Sequence, residues 1–416
     1  MNTTQLIRPL PFYGSALNQN PYATYRRLLH EGEIHYVKFP SGVCGWLVTG
    51  YDAAIKTLSH PLIGKSHQLG NQRWRALASI MPEPQHTTLQ SHLLHQDPPK
   101  HTALRALILD AFAPARIELL REQITHIAHR LSDSICTAGQ CDLIADFAAQ
   151  LPLLVLSQTI GLAEPHRAQF KPLWCKAVQP VGPNDPGRQA YINLLQELQT
   201  YIDMIIAESR LGDTSRLIVR LIAAHDEEKI SYNELTSVIF QLLVAGQEPM
   251  TNQIGNAMLA LIQNPDQLSH LQRYPSKIEA ALTELLRFDG AFALSTWRFF
   301  TQATPWLGAV VPAGDSVIVA LNAANHDSKQ FRCPHQLDFD RAPNKPLSFG
   351  YDHHYCPAAA LARVELEISI QVILTRLPNI RLGCAPDELR WINAVLARGL
   401  VSLPVRYTAT TNKATT

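Results

Sequence analysis

Apolar residues recur every three to four positions along most of this chain, and that spacing predicts a succession of helices. Pro21-Tyr22 opens an amphipathic stretch through Leu29. Two shorter runs, 34–39 and 46–49, read as strands, with Gly42 and Gly45 between them. Residues 65–95 are polar and irregular, with Pro82 and Pro84. They read as a long surface loop with at most one short helix, of a length usually kept for function. Helical spacing returns over 100–112, 115–162 and 189–225. Between the last two, residues 165–188 hold Pro172, Pro180, Pro183 and Pro186, and are expected to be broken and mobile.

Ser231-Tyr232-Asn233-Glu234 is a capping box. It should open a long helix that ends at Asn264-Pro265. Ala245-Gly246-Gln247-Glu248-Pro249 interrupts that helix, yet Ile254, Met258 and Leu261 continue its apolar face. A kinked but continuous helix is therefore expected, with something fitted against the interruption. Ser276-Lys277-Ile278-Glu279 reads as a second capping box, opening a helix to about Phe288. Beyond it the period shortens. Residues 306–311, a Pro312-Ala313-Gly314 turn and residues 316–321 read as a β-hairpin. Residues 325–346 form an irregular meander, 358–377 another helix, and 395–405 a last hairpin. No internal repeat or low-complexity linker interrupts the pattern. The simplest account is one domain over 1–416, mainly α with a small β region.

Composition narrows the function classes. The chain has 416 residues, 46% of them hydrophobic, which is enough for a large core. Lys plus Arg number 36 against 35 Asp plus Glu, so charge gives no reason to propose nucleic acid. Seven scattered cysteines, an odd number, suit a reducing compartment. Cys136 and Cys141, the one close pair, lack the spacing of a zinc site. With no targeting segment or membrane anchor legible, a soluble cytoplasmic protein is expected.

The chemistry gathers around Cys356, in Phe349-Gly350-Tyr351-Asp352-His353-His354-Tyr355-Cys356-Pro357-Ala358. A sulfur at the mouth of a helix meets unpaired N–H groups and a positive dipole end, which favour a thiolate. Such a thiolate can be the axial ligand of a haem iron. Read alone, Cys356 is better taken as a small buried core residue. Glu284 and Arg287 share a helix face and, read alone, make a surface ion pair. His101 and Arg105 lie four apart on one helix, and Arg298 follows Trp297. Cations in apolar segments need anionic partners, and the two propionates of a haem would supply them. His353 and His354 are adjacent, so they do not converge on one ion. A propionate contact for His354 and a solvated His353 fit better.

In this order and spacing, the segments resemble the cytochrome P-450 superfamily of haem-thiolate oxygenases, and its soluble bacterial members most closely. The resemblance runs from Asn20-Pro21-Tyr22 to Arg398-Gly399-Leu400. It includes Asp97-Pro98-Pro99-Lys100-His101 through Arg105, Ala324-Asn325-His326-Asp327, Phe339-Asp340-Arg341 and Leu361-Ala362-Arg363. It implies a single-domain fold with a long kinked helix over haem b, and Cys356 as the proximal iron ligand. It implies that His101, Arg105, Arg298, His354 and Phe349 contact the haem, the first four through its propionates. Glu284 and Arg287 would be a buried structural pair holding the meander. Ala245 and Gly246 would leave room for dioxygen over the iron, and Glu248 would belong to the distal proton-delivery network. By the same resemblance, Arg73, Trp74, Leu243, Val244, Leu294, Val395 and Leu396 would line the substrate pocket. Ferredoxin and ferredoxin reductase would supply electrons, docking near Lys100 and Arg363.

Three departures from the family pattern stand out. Ala358 and Asp352 replace usual glycines, and an aspartate tolerates positive φ better than most residues. Pro249 replaces the usual threonine or serine after the acid, so the alcohol that helps deliver protons is missing. Thr251 lies about 200° further round the helix and is a poor substitute. Dioxygen activation should then leak hydrogen peroxide unless water or a substrate hydroxyl fills the gap. Two activities follow: hydroxylation of a small natural-product-like substrate, or oxidative coupling of aromatic groups in a peptide or other natural product. A non-catalytic haem or carrier-binding module is the remote alternative. Arg73, Trp74, Arg75, His86 and His92 suggest a substrate with polar or anionic groups and aromatic rings, while Arg73 and Arg75 are equally read as solvated loop charges.

Overall fold

The computed structural model describes residues 8–9, 19–78, 80–162, 164, 166, 181–210 and 216–410. Most of the expected mobile stretch at 165–188 lies outside them. Helix α1 (Tyr22–Glu31) is followed by strands β2 (Ile34–Lys38) and β3 (Cys44–Val48), after a short β1 (Arg8–Pro9). Then come α2 (Tyr51–Leu58), β4 (Ile63–Gly64), α3 (Gln72–Leu77), α4 (Gln85–Gln90) and α5 (Lys100–Leu109). The helical half continues with α6 (Pro114–Ile135), β5 (Gln140–Asp142), α7 (Leu151–Ile160), α8 (Arg188–Ser209), α9 (Leu217–Asp226), α10 (Tyr232–Gln263), α11 (Pro265–Arg273) and α12 (Ile278–Phe288). Strands β6 (Arg298–Phe300), β7 (Thr304–Trp306), β8 (Ala309–Val311) and β9 (Ser316–Val319) precede a turn of helix, α13 (Leu321–Ala324). The chain closes with α14 (Ala359–Arg376), β10 (Arg381–Leu382) and β11 (Pro404–Arg406).

Helix α10 is the axis of the helical half. Its start is set locally. The Ser231 hydroxyl accepts from the Glu234 N–H at 3.2 Å, and the Glu234 carboxylate accepts from the Ser231 N–H at 2.8 Å. Its end is set by Asn264 and Pro265. Between them the helix runs unbroken through Pro249. Helices α4, α7 and α14 pack on it. That packing is close at Gly246, where a β-carbon would lie 2.8 Å from Leu156 Cδ1 on α7 and the leucine would have to shift.

The six-stranded sheet has the order β1-β2-β3-β9-β6-β4, with β3 and β9 parallel at its centre. All four β9 residues are buried, as befits a central strand. The expected hairpin over 306–321 therefore does not form. The turn falls instead at Leu307-Gly308, both at positive φ (44° and 85°), which folds β7 onto β8 as a two-residue hairpin. The expected hairpin at 395–405 is also replaced. Strand β11 pairs with β10 and β5, while the Leu396 carbonyl accepts from Ala293 and Leu294 N–H at 2.8 and 3.2 Å. Strand β5 breaks the helical run expected over 115–162.

Two local readings are corrected. Ser276 caps nothing: a 3₁₀ turn (Pro275–Lys277) leads into α12 without a side-chain cap. Residues 65–95 are not a surface loop. They carry α3 and α4, and bury His67, Trp74, Leu89 and His92 against the sheet and α10. Their polar sequence hides this because Lys65, His67, Gln85 and His92 are buried along with the apolar Trp74, Met81, Leu89 and Leu93, and apolar periodicity does not reveal buried polar side chains.

Candidate active site

The loop before α14 is built from two tight turns. Gly350 and Asp352 take positive φ (78° and 60°), so the aspartate accepts the backbone role expected of it. The loop is tied down where the Ser348 hydroxyl donates to the Leu286 carbonyl at 2.7 Å and the Leu347 N–H donates to the Asn325 side chain at 2.7 Å. The Cys356 N–H donates back to the Phe349 carbonyl at 2.9 Å. Burial pushes the Cys356 thiol up, while the Ala358 N–H and the Arg105 charge pull against it. A bound metal ion would hold the sulfur as a thiolate against that burial.

Cys356 forms one wall of a cavity. The opposite wall is a face of α10 carrying Gln241, Ala245, Gly246, Pro249, Met250 and Gln253. Leu93, Leu94 and the stretch from Ala291 to Thr296 close the sides. At one end stand Lys65, Arg105, Arg298 and His354. Four atoms there are buried without hydrogen-bond partners: Arg105 Nη1, Arg298 Nε, His354 Nδ1 and His101 Nε2. Unpartnered buried donors of this kind require an explanation. His101 does not reach the cavity lining. Its ring packs against that of His354, centroids 4.2 Å apart, and so braces it. Burial and the surrounding positive charges hold His354 far below the ordinary histidine range, and burial lowers Arg298 to about 10. A flat group with a ligatable metal and two carboxylates at one edge fits this donor set. The sulfur would meet the metal, and the cations would meet the carboxylates.

Several expected pocket residues lie elsewhere. Leu294 lines the cavity, but Arg73, Trp74, Leu243, Val244, Val395 and Leu396 do not. Trp74 is buried against Phe299, ring centroids 4.6 Å apart, and Arg73 is turned to Cys44. Leu243 is fully buried in the helical core, because positions 241, 245 and 249 share the cavity face of α10 and 243 does not. Val244 packs against that same core, and Val395 and Leu396 pack against the core under the sheet. Thr251 donates to the Gln247 carbonyl at 3.1 Å and is absent from the lining, as expected.

Glu248 also lies outside the cavity lining. Burial raises its carboxyl to about 7. An unfolded glutamate ionises near 4.3, roughly its model-peptide value. Wild-type stability should therefore fall as pH rises from that value towards 7, where the folded carboxyl finally ionises. Glu248→Gln is expected to raise the melting temperature relative to wild type at pH 8 and to leave it unchanged at pH 4, as thermal unfolding at the two pH values would show.

The Glu284–Arg287 pair is a fully buried hub rather than a surface pair. Arg287 Nε and Nη2 donate to the two carboxylate oxygens at 2.7 and 2.8 Å. Arg287 Nη1 also donates to the carbonyls of Asn325 and Pro334 at 2.9 and 2.8 Å. Arg341 Nε (3.0 Å) and Asn344 Nδ2 (2.9 Å) add donors to Glu284. The meander is thus folded around one carboxylate. Sequence reasoning missed Arg341 and Asn344 as partners, and missed a second buried pair, Asp289 and Arg398 at 2.6 Å, beside the Trp391 ring. It also missed Lys65 and Glu365. Glu365 lines the cavity from α14 with one unpartnered oxygen, and burial raises it to about 8. No local spacing marks any of these. Of the two expected docking cations, Lys100 pairs with Glu234 at 2.9 Å and Arg363 donates to Thr283 at 3.1 Å.

The family model described as "Cytochrome P450" matches residues 277–385. The chain is 36% identical over 398 residues to the cytochrome P450 monooxygenase PikC of Streptomyces venezuelae, covering 95% of this chain and 92% of that protein. The solved structure of the myxobacterial cytochrome P450 CYP267B1 in complex with myristic acid superposes with a TM-score of 0.90 at 31% identity, over 96% of this chain and 99% of that one. That of CxnD, a cytochrome P450 for C–S bond formation in chuangxinmycin biosynthesis, also superposes at 0.90, with 28% identity over 99% of this chain and all of that one.

Proposed function

The chain belongs to the cytochrome P450 family, an oxidoreductase family whose cofactor is haem b, and from that premise we propose that it hydroxylates a small natural-product-like molecule with dioxygen. Residues 1–416 are read as one haem-thiolate oxygenase domain. When bound, haem supplies the oxygen-activating chemistry. Cys356 would ligate its iron, with Phe349 beside it, and Arg105, Arg298 and His354, braced by His101, would bind its propionates. The observation that carries this reading is the cavity that joins Cys356, the unpartnered buried atoms of Arg105, Arg298 and His354, and the α10 face.

The other residues have roles of their own. Ala245 and Gly246 border the space above the cofactor. Glu248, poised near neutral pH, would hold the proton that dioxygen cleavage requires. Pro249 offers no hydroxyl to pass it on, so an ordered water or a substrate hydroxyl would complete the path. The lining away from the cations is mainly apolar (Leu93, Leu94, Met250, Phe292, Leu294), with neutral polar groups at Gln241 and Ser295. That favours an apolar substrate bearing hydroxyl or carbonyl groups over the anionic one that Arg73 and Arg75 suggested. Ferredoxin and its reductase are the proposed electron donors, in the cytoplasm. Among the described residues no helix is long and apolar enough to cross a membrane.

Pro249 also favours a second reading, in which a bond forms within the substrate without oxygen insertion. Turnover with candidate metabolites under ¹⁸O₂ separates the two by mass. Hydroxylation leaves the product one labelled oxygen heavier, and coupling leaves it two hydrogens lighter. If no metabolite is oxidised by reduced holoenzyme, both readings fail. Pro249→Thr is expected to lower hydrogen peroxide release per electron consumed severalfold under the hydroxylation reading, as a peroxide assay alongside NADPH consumption would show.

A further inference from the structure

Lys65 follows β4 and is 1% exposed. Its ammonium donates to the Thr296 hydroxyl and to the Trp297 carbonyl at 2.9 Å, both uncharged acceptors. The nearby Asp97 carboxylate is engaged by backbone instead. It accepts from the Lys65 N–H at 2.8 and 3.0 Å and from the Ser66 N–H at 3.0 Å. Around Lys65 lie His67, His92 and His95, whose imidazoles are held well below the ordinary histidine range by burial and by the lysine's charge. Burial and the like charge of Arg298 push Lys65 well below the ordinary lysine range, and the Asp97 charge only partly offsets them. A buried ammonium with no carboxylate in contact with its nitrogen is costly. Yet this one lines the cavity at the same end as Arg105, Arg298 and His354, and all three cations act on His354.

We propose that Lys65 is a haem-binding residue whose ammonium faces a propionate of the cofactor. The two carboxylates are then met by donors from four separate segments: Lys65 after β4, Arg105 on α5, Arg298 on β6 and His354 in the cysteine loop. The proposal rests on the haem reading above. Failure of that reading would show in the wild-type protein, which would carry no haem.

The test compares wild-type, Lys65→Met and Lys65→Arg holoenzymes. Haem release to excess acceptor globin should quicken by about ten-fold or more in Lys65→Met, the size expected for losing one charged hydrogen bond. The propionate bending bands of its resonance Raman spectrum should shift, and Lys65→Arg should restore both towards wild type. Lys65→Gln keeps hydrogen-bonding capacity towards Thr296 and Trp297 without the charge, and should behave like Lys65→Met even if the methionine variant folds poorly. Release rates and propionate bands matching wild type in Lys65→Gln overturn the proposal. So does a loss of thermal stability with unchanged bands, which would make Lys65 only a tie between β4 and the 296–297 backbone.

Discussion

Cys356→Ala should purify without the red-shifted ferrous–carbon monoxide absorption that a thiolate-ligated haem gives, and should not turn over. The sulfur is the one soft, ionisable ligand on its wall of the cavity, and thiolate donation is what favours O–O cleavage in this class. Three unpartnered atoms, on Arg105, Arg298 and His354, can still attract the porphyrin carboxylates, so weak haem binding without the thiolate signature is compatible with the reading. Far-ultraviolet circular dichroism should stay close to wild type, because the loop is held by Ser348, Leu347 and the Phe349 carbonyl rather than by the sulfur. Full retention of the thiolate spectrum and of turnover in the variant would remove the basis of the functional proposal.

Glu284→Ala should be the most destabilising single change outside the cysteine loop. Removing one partner of a buried ion pair costs about 3–5 kcal/mol, because the remaining charge has no solvent to turn to. Here two guanidiniums are stranded, since Arg287 is 0% exposed and the Arg341 side chain 5%. Domains are stable by only about 5–15 kcal/mol, so such a loss consumes a large share of the margin. Glu284→Gln keeps the shape and some acceptors and should cost less. Urea unfolding of the holoenzymes, followed by circular dichroism and by the thiolate absorption, would show whether site and fold fail together. The meander that Glu284 organises leads straight into the cysteine loop through Asn325 and Ser348. A midpoint for Glu284→Ala equal to wild type would mean that the pair is not the hub its hydrogen bonds describe.

The element map was largely legible without coordinates where the signal was local. The Ser231–Glu234 box and the Asn264-Pro265 stop bracket α10 within its observed bounds, and Asp352 adopts the positive φ anticipated for it. Reading failed where a strand had to choose a partner. Residues 306–321 look like one hairpin, but β9 pairs with β3, over 260 positions earlier, and leaves the turn to Leu307-Gly308. It failed again for side chains whose neighbours arrive from distant segments. Arg73 and Trp74 sit in a polar run that suggests a substrate loop, yet the indole is enclosed by Phe299 and Trp297.

The amino-acid order alone determined where α10 begins and ends, the sulfur at the mouth of α14, the pairable Glu284 and Arg287, and the proline where an alcohol is usual. These depend on caps, dihedral limits and spacings within a turn or two. Only the folded chain decided that the Glu284 pair is sealed from water, that the 241–245–249 face of α10 rather than Leu243 meets the cavity, and that Lys65 is enclosed beside Arg105, Arg298 and His354. Burial and charge convergence are sums over segments far apart in the chain, and no window of neighbouring residues contains them.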